Sequence, residues 1–265
     1  MINQIVLAFF LSGLVAVLAY WRGSLAVSGA ASALLVGTII FGFGGWVWGV
    51  LLALFFISSS LLSHYKEKEK QAVAEKFDKG HRRDWGQVLA NGGAGTIVAL
   101  LQGFFPSLLW LPLFVGAMAT VTADTWATEL GTLSQKPPRL ITTGRAVPVG
   151  TSGGISLFGT AVSFIGGLLI GFTTGLLSQT NILGLTLTGG LGGLAGSLFD
   201  SFLGATVQQI YYCDHCQKET EKKVHCHQPT RPLRGWRWMN NDLVNFFSSI
   251  AGGATAVLVY SLLVA

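Results

Sequence analysis

Charge is scarce in this chain of 265 residues: Lys, Arg, Asp and Glu together make up 11% of it, where a soluble domain carries about a quarter. With 51% hydrophobic residues, the chain cannot clothe a core in water-compatible surface, which excludes a soluble globular protein. Cysteine is rare as well. The three cysteines lie between Cys213 and Cys226, outside the apolar runs; an odd, clustered set argues against a disulfide framework and for a reducing compartment. No basic stretch precedes the first apolar run and no small-residue cleavage site follows it, so it reads as a retained helix rather than a signal peptide. Walker-loop, Ser-His-Asp, His-Glu-x-x-His and Cys-nucleophile patterns are missing, and so is any nucleic-acid-binding motif.

What the chain has is apolar length and glycine. Runs of about 18 or more apolar residues can span a bilayer, and eight are found, over 2–20, 25–43, 45–63, 87–105, 108–131, 153–177, 182–207 and 242–264. The 35 glycines lie largely inside these runs, as close helix-packing positions do. All 17 Lys and Arg residues fall in alternate loops, after the first, third, fifth and seventh runs. By the positive-inside rule those loops are cytoplasmic and both termini lie on the opposite side. The expectation is an all-α polytopic transmembrane bundle of about eight helices, one integral-membrane domain over 1–265. Its cytoplasmic loops are a basic one at 64–86, a Gly-rich one at 132–152 and a Cys/His one at 208–241. Topology and anionic lipid account for the net charge of +5 without a nucleic-acid partner. Val27–Gly37 echoes Gly150–Gly159, and Ala90–Gly95 echoes Ile250–Thr255, which reads either as a parallel duplication of four helices or as chance similarity between Gly-rich apolar segments.

The acidic residues share the cytoplasmic side. Asp124 and Glu129 close the fifth run, and Asp200 lies inside the seventh among Gly192, Gly193, Gly196 and Gly204. An intramembrane carboxylate costs about 2.5–3.5 kcal/mol on insertion scales and is usually retained for function; the plainer reading is a pair with a loop cation. Asn91, within the fourth run, either bonds across helices or binds a ligand. Asn240, Asn241 and Asp242 open the eighth run, and for the two asparagines an N-cap is the preferred reading. Gly144–Ser156 leads into a helix start and could cradle an anion or simply pack tightly. Lys76, Lys79, Arg82 and Arg83, with Asp78 and Asp84, precede the fourth run. Carboxylates, an amide and cations on one face suit Mg²⁺ with a polyphosphate. Separately, Cys213, Cys216, His225, Cys226 and His227 supply enough sulfur and nitrogen for a structural Zn²⁺, the alternative being an unmetallated loop.

Asn91-Gly92-Gly93, Ala123-Asp124 through Glu129-Leu130-Gly131, Gly150-Thr151 through Gly153-Gly154 to Ser156, and Asp200-Ser201 through Gly204-Ala205 together resemble the integral-membrane family that includes plant and cyanobacterial phytyl-phosphate kinase. The resemblance runs from about the second helix onward. It implies phosphoryl transfer from a nucleoside triphosphate, CTP being expected, to phytyl phosphate or a related prenyl phosphate, in a bacterial inner or thylakoid membrane, serving tocopherol and prenylquinone synthesis. On that reading Asp124, Glu129 and Asp200 hold Mg²⁺. Asn91, Thr128, Ser201, Asp242, Lys79, Arg82, Arg83 and the backbone at Gly150, Thr151, Gly153 and Gly154 bind substrate. Two alternatives stay open: a cytidylyltransferase that makes a CDP-lipid, and a transporter or flippase of prenyl phosphates.

Overall fold

The computed structural model describes residues 2–66, 69, 75, 77–80, 82–134 and 136–263; Lys68, Lys70 and Lys76 of the basic loop lie outside the described residues. Eight long helices follow one another: α1 Ile2–Trp21, α2 Val27–Gly44, α3 Trp46–His64, α4 Trp85–Phe104, α5 Trp110–Gly131, α6 Leu157–Ser178, α7 Ile182–Thr206 and α8 Asn241–Leu263. At 18 to 25 residues each, they measure about 27 to 38 Å, enough to cross a bilayer core of about 30 Å. Trp21, Trp46, Trp85 and Trp110 each stand at a helix terminus, as indoles do at the two membrane–water levels.

Local chemistry ends each helix. Gly45, at φ +91°, separates α2 from α3 in one residue. Asp84 and Gln87 form a reciprocal capping box that starts α4 at Trp85, two residues before the apolar run suggests. The Ser156 hydroxyl accepts from Gly159 N and starts α6 at Leu157, four residues later than its apolar run, because the residues before it are folded into turns and a strand. Asn181 caps α7. Asn240 Oδ1 accepts from Leu243 N at 3.1 Å and caps α8, as expected of it.

Six helices are apolar and long enough to cross a membrane by composition; α4 and α5 complete the eight. Packing explains the difference. Helix α5 touches α3, α4, α6, α7 and α8, and every residue but one from Pro112 to Ala123 is buried, Leu113 being the part-exposed one. Surrounded by protein rather than lipid, it accommodates Thr120, Thr122 and Asp124. Glycines set the close approaches: a Cβ on Gly189 of α7 would lie 2.6 Å from Gly167 O and Gly171 Cα of α6, a small-xxx-small crossing in both helices. A second core joins Ile40, Trp48, Leu51, Phe55, Val98 and Met118, with Trp48 stacked on Phe114 at 4.1 Å. Helix α1 packs chiefly on α2 and exposes Phe10 and Leu14, a lipid-facing surface.

The connections α1–α2, α3–α4, α5–α6 and α7–α8 share one end of the bundle, the polar end, and every described Lys and Arg is in them. The helical expectation gains short strands there. β1 (Arg139–Leu140) pairs antiparallel with β2 (Gly154–Ile155). β3 (Ile210–Cys213) lies between β4 (Lys218–Thr220) and β7 (Arg231–Arg234), and β5 (Val224–His225) pairs with β6 (Gln228–Pro229). The echoed segments α2 and α6 both start from the polar end, yet their surroundings differ: α2 packs on α1 and α4, whereas α6 packs on α5 and α7.

Candidate active site

A cavity of about 790 Å³ opens at the polar end. Its lower walls are the last turns of α5 and α7, which bring Asp124, Thr128, Glu129, Asp200 and Ser201 to it. Three helices, α4, α6 and α8, begin at its rim, contributing Gln87 and Asn91, Ser156 and Gly159, and Asn240 to Asp242. A helix start carries partial positive charge and unpaired N–H groups that favour anions. Asp124 and Asp200 thus lie at depth on the C-terminal halves of their helices, while three helix starts and a mixture of cations and carboxylates surround the mouth.

Asp124 and Asp200 lie seven and six residues short of the ends of their helices, or about 10 Å down from those ends. They are close enough to repel each other electrostatically. Among the described residues Asp200 Oδ2 and Ser248 Oγ of α8 are both buried and neither makes a hydrogen bond of ordinary geometry, though the two groups are close enough to interact. Below them Ser163 Oγ lies 2.8 Å from Ser197 Oγ and 3.2 Å from the Ala123 carbonyl. An orphaned carboxylate oxygen beside a second carboxylate is a donor set that fits a hard divalent cation. Glu129 is placed differently: Ser63 of α3 donates to its Oε1 at 2.7 Å, and it lies in the field of Arg83.

Lys79, Arg83, Lys222, Lys223 and Arg237 line the cavity. Arg83 donates to Ser59 and Ser60 of α3 at 3.1 and 3.2 Å, and burial draws its pKa below the usual guanidinium value while Glu129 opposes that shift. Lys79 bridges Asp84 at 3.0 Å and Asp242 at 2.5 Å. Burial opposes its charge, but these two carboxylates outweigh that and hold its pKa above the ordinary ammonium value. Arg82 is a correction to the expected set. It is absent from the lining and turned to the α1–α2 connection, its guanidinium 3.4 Å from Leu25 O and 5.6 Å from the Tyr20 ring centre. Adjacent residues of a short extended stretch point opposite ways, and Arg83 takes the cavity side.

Gly150, Thr151, Gly153 and Gly154 also line the cavity. Thr151 N and Gly154 N are spent on turns, to Pro148 O and Thr151 O, which leaves the amides of Gly150, Ser152 and Gly153 outside the backbone hydrogen bonds among the described residues. Gly153 has φ +85°, and a Cβ on it would lie 2.5–2.7 Å from Ala205, so the loop is seated on the end of α7. Asn91 lines the wall, its amide donating within its own helix to Gln87 O at 2.9 Å.

Gln208 and Glu221 also line the cavity, and no motif in the sequence singles them out. Ser152 Oγ donates to Gln208 Oε1 at 2.5 Å, and Gln208 Nε2 donates to Glu221 Oε1 at 2.8 Å. Arg234 clamps the same corner by donating to Gly204 O and Ser152 O at 2.6 and 3.3 Å. Burial raises the Glu221 carboxyl to about 7. Only a glutamate in a polar loop marks this position in the chain, and nothing local signals its burial. The Cys/His residues are outside this cavity. Ligand atoms of Cys213, Cys216, His225 and Cys226 lie within 4.8 Å of one another; His227 is not among them, which corrects its inclusion, since it follows Cys226 in a tight turn.

The profile of the family described as integral membrane protein DUF92 matches residues 10–253. Protein PGR of Arabidopsis thaliana is 34% identical over 270 residues, 92% of each chain. An uncharacterized membrane protein of Synechocystis is 32% identical, covering 86% of this chain and 80% of that one. Protein VTE6, chloroplastic, of Arabidopsis thaliana is 30% identical over 89% of this chain and 65% of that protein. No solved structure matches.

Proposed function

The chain belongs to the integral membrane protein family DUF92, and from that membership and the layout of charge in the cavity we propose that it transfers a phosphoryl group from a nucleoside triphosphate, CTP being the expected donor, to phytyl phosphate or a related prenyl phosphate, at the cytoplasmic face. The observation that carries this reading is the orphaned Asp200 oxygen beside Asp124 at depth, in a cavity that is also lined by three helix starts and five cationic side chains, of which Lys79 is paired with Asp84 and Asp242.

Asp124 and Asp200 are the residues that would hold Mg²⁺, which when bound neutralises charge on the donor phosphates. Glu129, one oxygen of which Ser63 holds, is the third carboxylate of the expected metal set and lies in the field of Arg83. The Gly150–Gly154 loop, the start of α6 and Asn91 bind donor oxygens, and Lys222, Lys223 and Arg237 offset the remaining charge. The acceptor is a phosphate monoester whose oxygen is already ionised and nucleophilic. It forms the new P–O bond as the β–γ bridge of the donor breaks, and the released nucleoside diphosphate carries away the electron pair. No general base is required. Trp236 and Trp238 stack at 5.3 Å, both more than half exposed, and Trp238 lines the mouth; such aromatics suit the level where a lipid tail leaves the bilayer.

The test is purified protein in detergent with phytyl phosphate, Mg²⁺ and CTP, and mass spectrometry of both products. Phytyl diphosphate with CDP is expected. CDP-phytyl with pyrophosphate makes the protein a cytidylyltransferase instead, and no turnover with any prenyl phosphate overturns the assignment.

A further inference from the structure

We propose that Cys213, Cys216, His225 and Cys226 bind one structural zinc ion that fixes the β3–β4 hairpin, and with it Glu221, over the cavity. This assignment is independent of the phosphoryl-transfer reading. Two turns present the ligands. Cys213 and Cys216 flank the β3–β4 turn, where Cys213 pairs with Lys218. His225 and Cys226 come from the β5–β6 turn, where His225 pairs with Gln228.

The distances suit a tetrahedron. Cys216 Sγ and Cys226 Sγ lie 3.4 and 3.2 Å from His225 Nδ1, and all four ligand atoms fall within 4.8 Å of each other. Zinc bonds of about 2.3 Å to sulfur and about 2.0 Å to nitrogen place tetrahedral ligands about 3.5–3.8 Å apart, which these atoms reach with shifts of a few tenths of an ångström to about 1 Å. Backbone conformation gives an independent sign. Gln217, Cys226 and His227 have φ of +55°, +51° and +60°, in a region that two-residue hairpin turns usually fill with Asn and Gly. Of these only Cys226 is a ligand, and ligation accounts for a cysteine in that turn position. A disulfide would use two of the three thiols and leave the third and His225 without a role.

The consequence reaches the cavity through bonds already described. Thr220, in β4, pairs with Tyr211, and the next residue is Glu221, joined to Gln208 and through it to Ser152 of the Gly-rich loop. Zinc is thus a clasp outside the membrane helices that holds one wall of the site, and no reacting atom touches it.

The experiment measures metal in tag-free full-length protein purified in detergent without chelators, by elemental analysis. One zinc per chain is expected in wild type and in His227→Ala, with a fall of at least about fivefold in Cys216→Ser and Cys226→Ser. Cobalt-exchanged wild type should show thiolate-to-metal charge-transfer and tetrahedral ligand-field bands, and its three thiols should react with a thiol reagent only after a chelator is added. If the serine variants do not fold, the wild-type spectrum and thiol protection decide. Absence of zinc from wild type, full retention in Cys216→Ser, or three freely reactive thiols before chelation each overturn the proposal.

Discussion

Lys79 Nζ lies 2.5 Å from Asp242 Oδ2, an ion pair across 163 residues that ties the segment before α4 to the first turn of α8. Its side chains are only 28% and 17% exposed, and Asp84 shares the ammonium. Lys79→Met alone leaves two carboxylates facing each other. In a four-member cycle with Asp242→Asn, equilibrium unfolding in detergent should return a coupling of about 1–2 kcal/mol, the double variant being more stable than Lys79→Met. Strict additivity would mean that the pair contributes nothing.

Asp124→Asn and Asp200→Asn should each lower turnover by at least about 10²-fold while the melting temperature holds or rises, since an amide at that depth avoids the about 2.5–3.5 kcal/mol that an intramembrane charge costs. Turnover and thermal unfolding on the same preparation check this, and wild-type turnover in either variant removes the metal assignment.

Gly153→Ala should raise the KM for nucleotide by about tenfold or more, because a side chain at φ +85° is strained and meets Ala205, which displaces the loop by a few tenths of an ångström or more. The check is initial-rate kinetics against nucleotide at saturating lipid; an unchanged KM would take the loop out of donor binding.

Glu221 sets a pH dependence of stability. Burial raises its carboxyl from 4.5 to about 7, so between those values the folded protein holds a proton that the unfolded chain has released. The stabilisation is complete below 4.5 and is lost as pH rises through about 7. Wild type should therefore lose melting temperature from about pH 5 to about pH 8, and Glu221→Gln should lose measurably less. Parallel curves for the two proteins would contradict this.

Much of the architecture was legible in the chain because lipid imposes a strong code. Apolar length marked the eight helices, and Asn240 read as a cap because an asparagine before an apolar run has few other uses. The starts of α4 and α6 were misplaced by two and four residues, since hydropathy cannot see the hydrogen bonds of Asp84 and Ser156 that fix them. Within the site, Asp124 and Asp200 stood out by the cost of charge in an apolar run. Gln208 and Glu221 did not, because they come from a polar loop whose burial is created by distant strands. Arg82 and Arg83 look alike in sequence; only the extended backbone beside Leu25 decides which one reaches the cavity.

The glycine notches between α5, α6, α7 and α8 have a mechanical meaning. A Cβ on Gly193 would lie 2.9 Å from Ala119 O, and one on Gly253 would lie 2.8 Å from Leu113 O, so these helices mesh backbone to backbone. Sliding α6 or α7 by one residue toward its N-terminus would bring Phe172 to the level of Gly171, or Leu194 to that of Gly193, where there is no space for a side chain. Asp124 and Asp200 therefore keep their vertical offset without any bond between them: the helices are keyed like the wards of a lock, and the spacing of the two carboxylates is cut into the glycines.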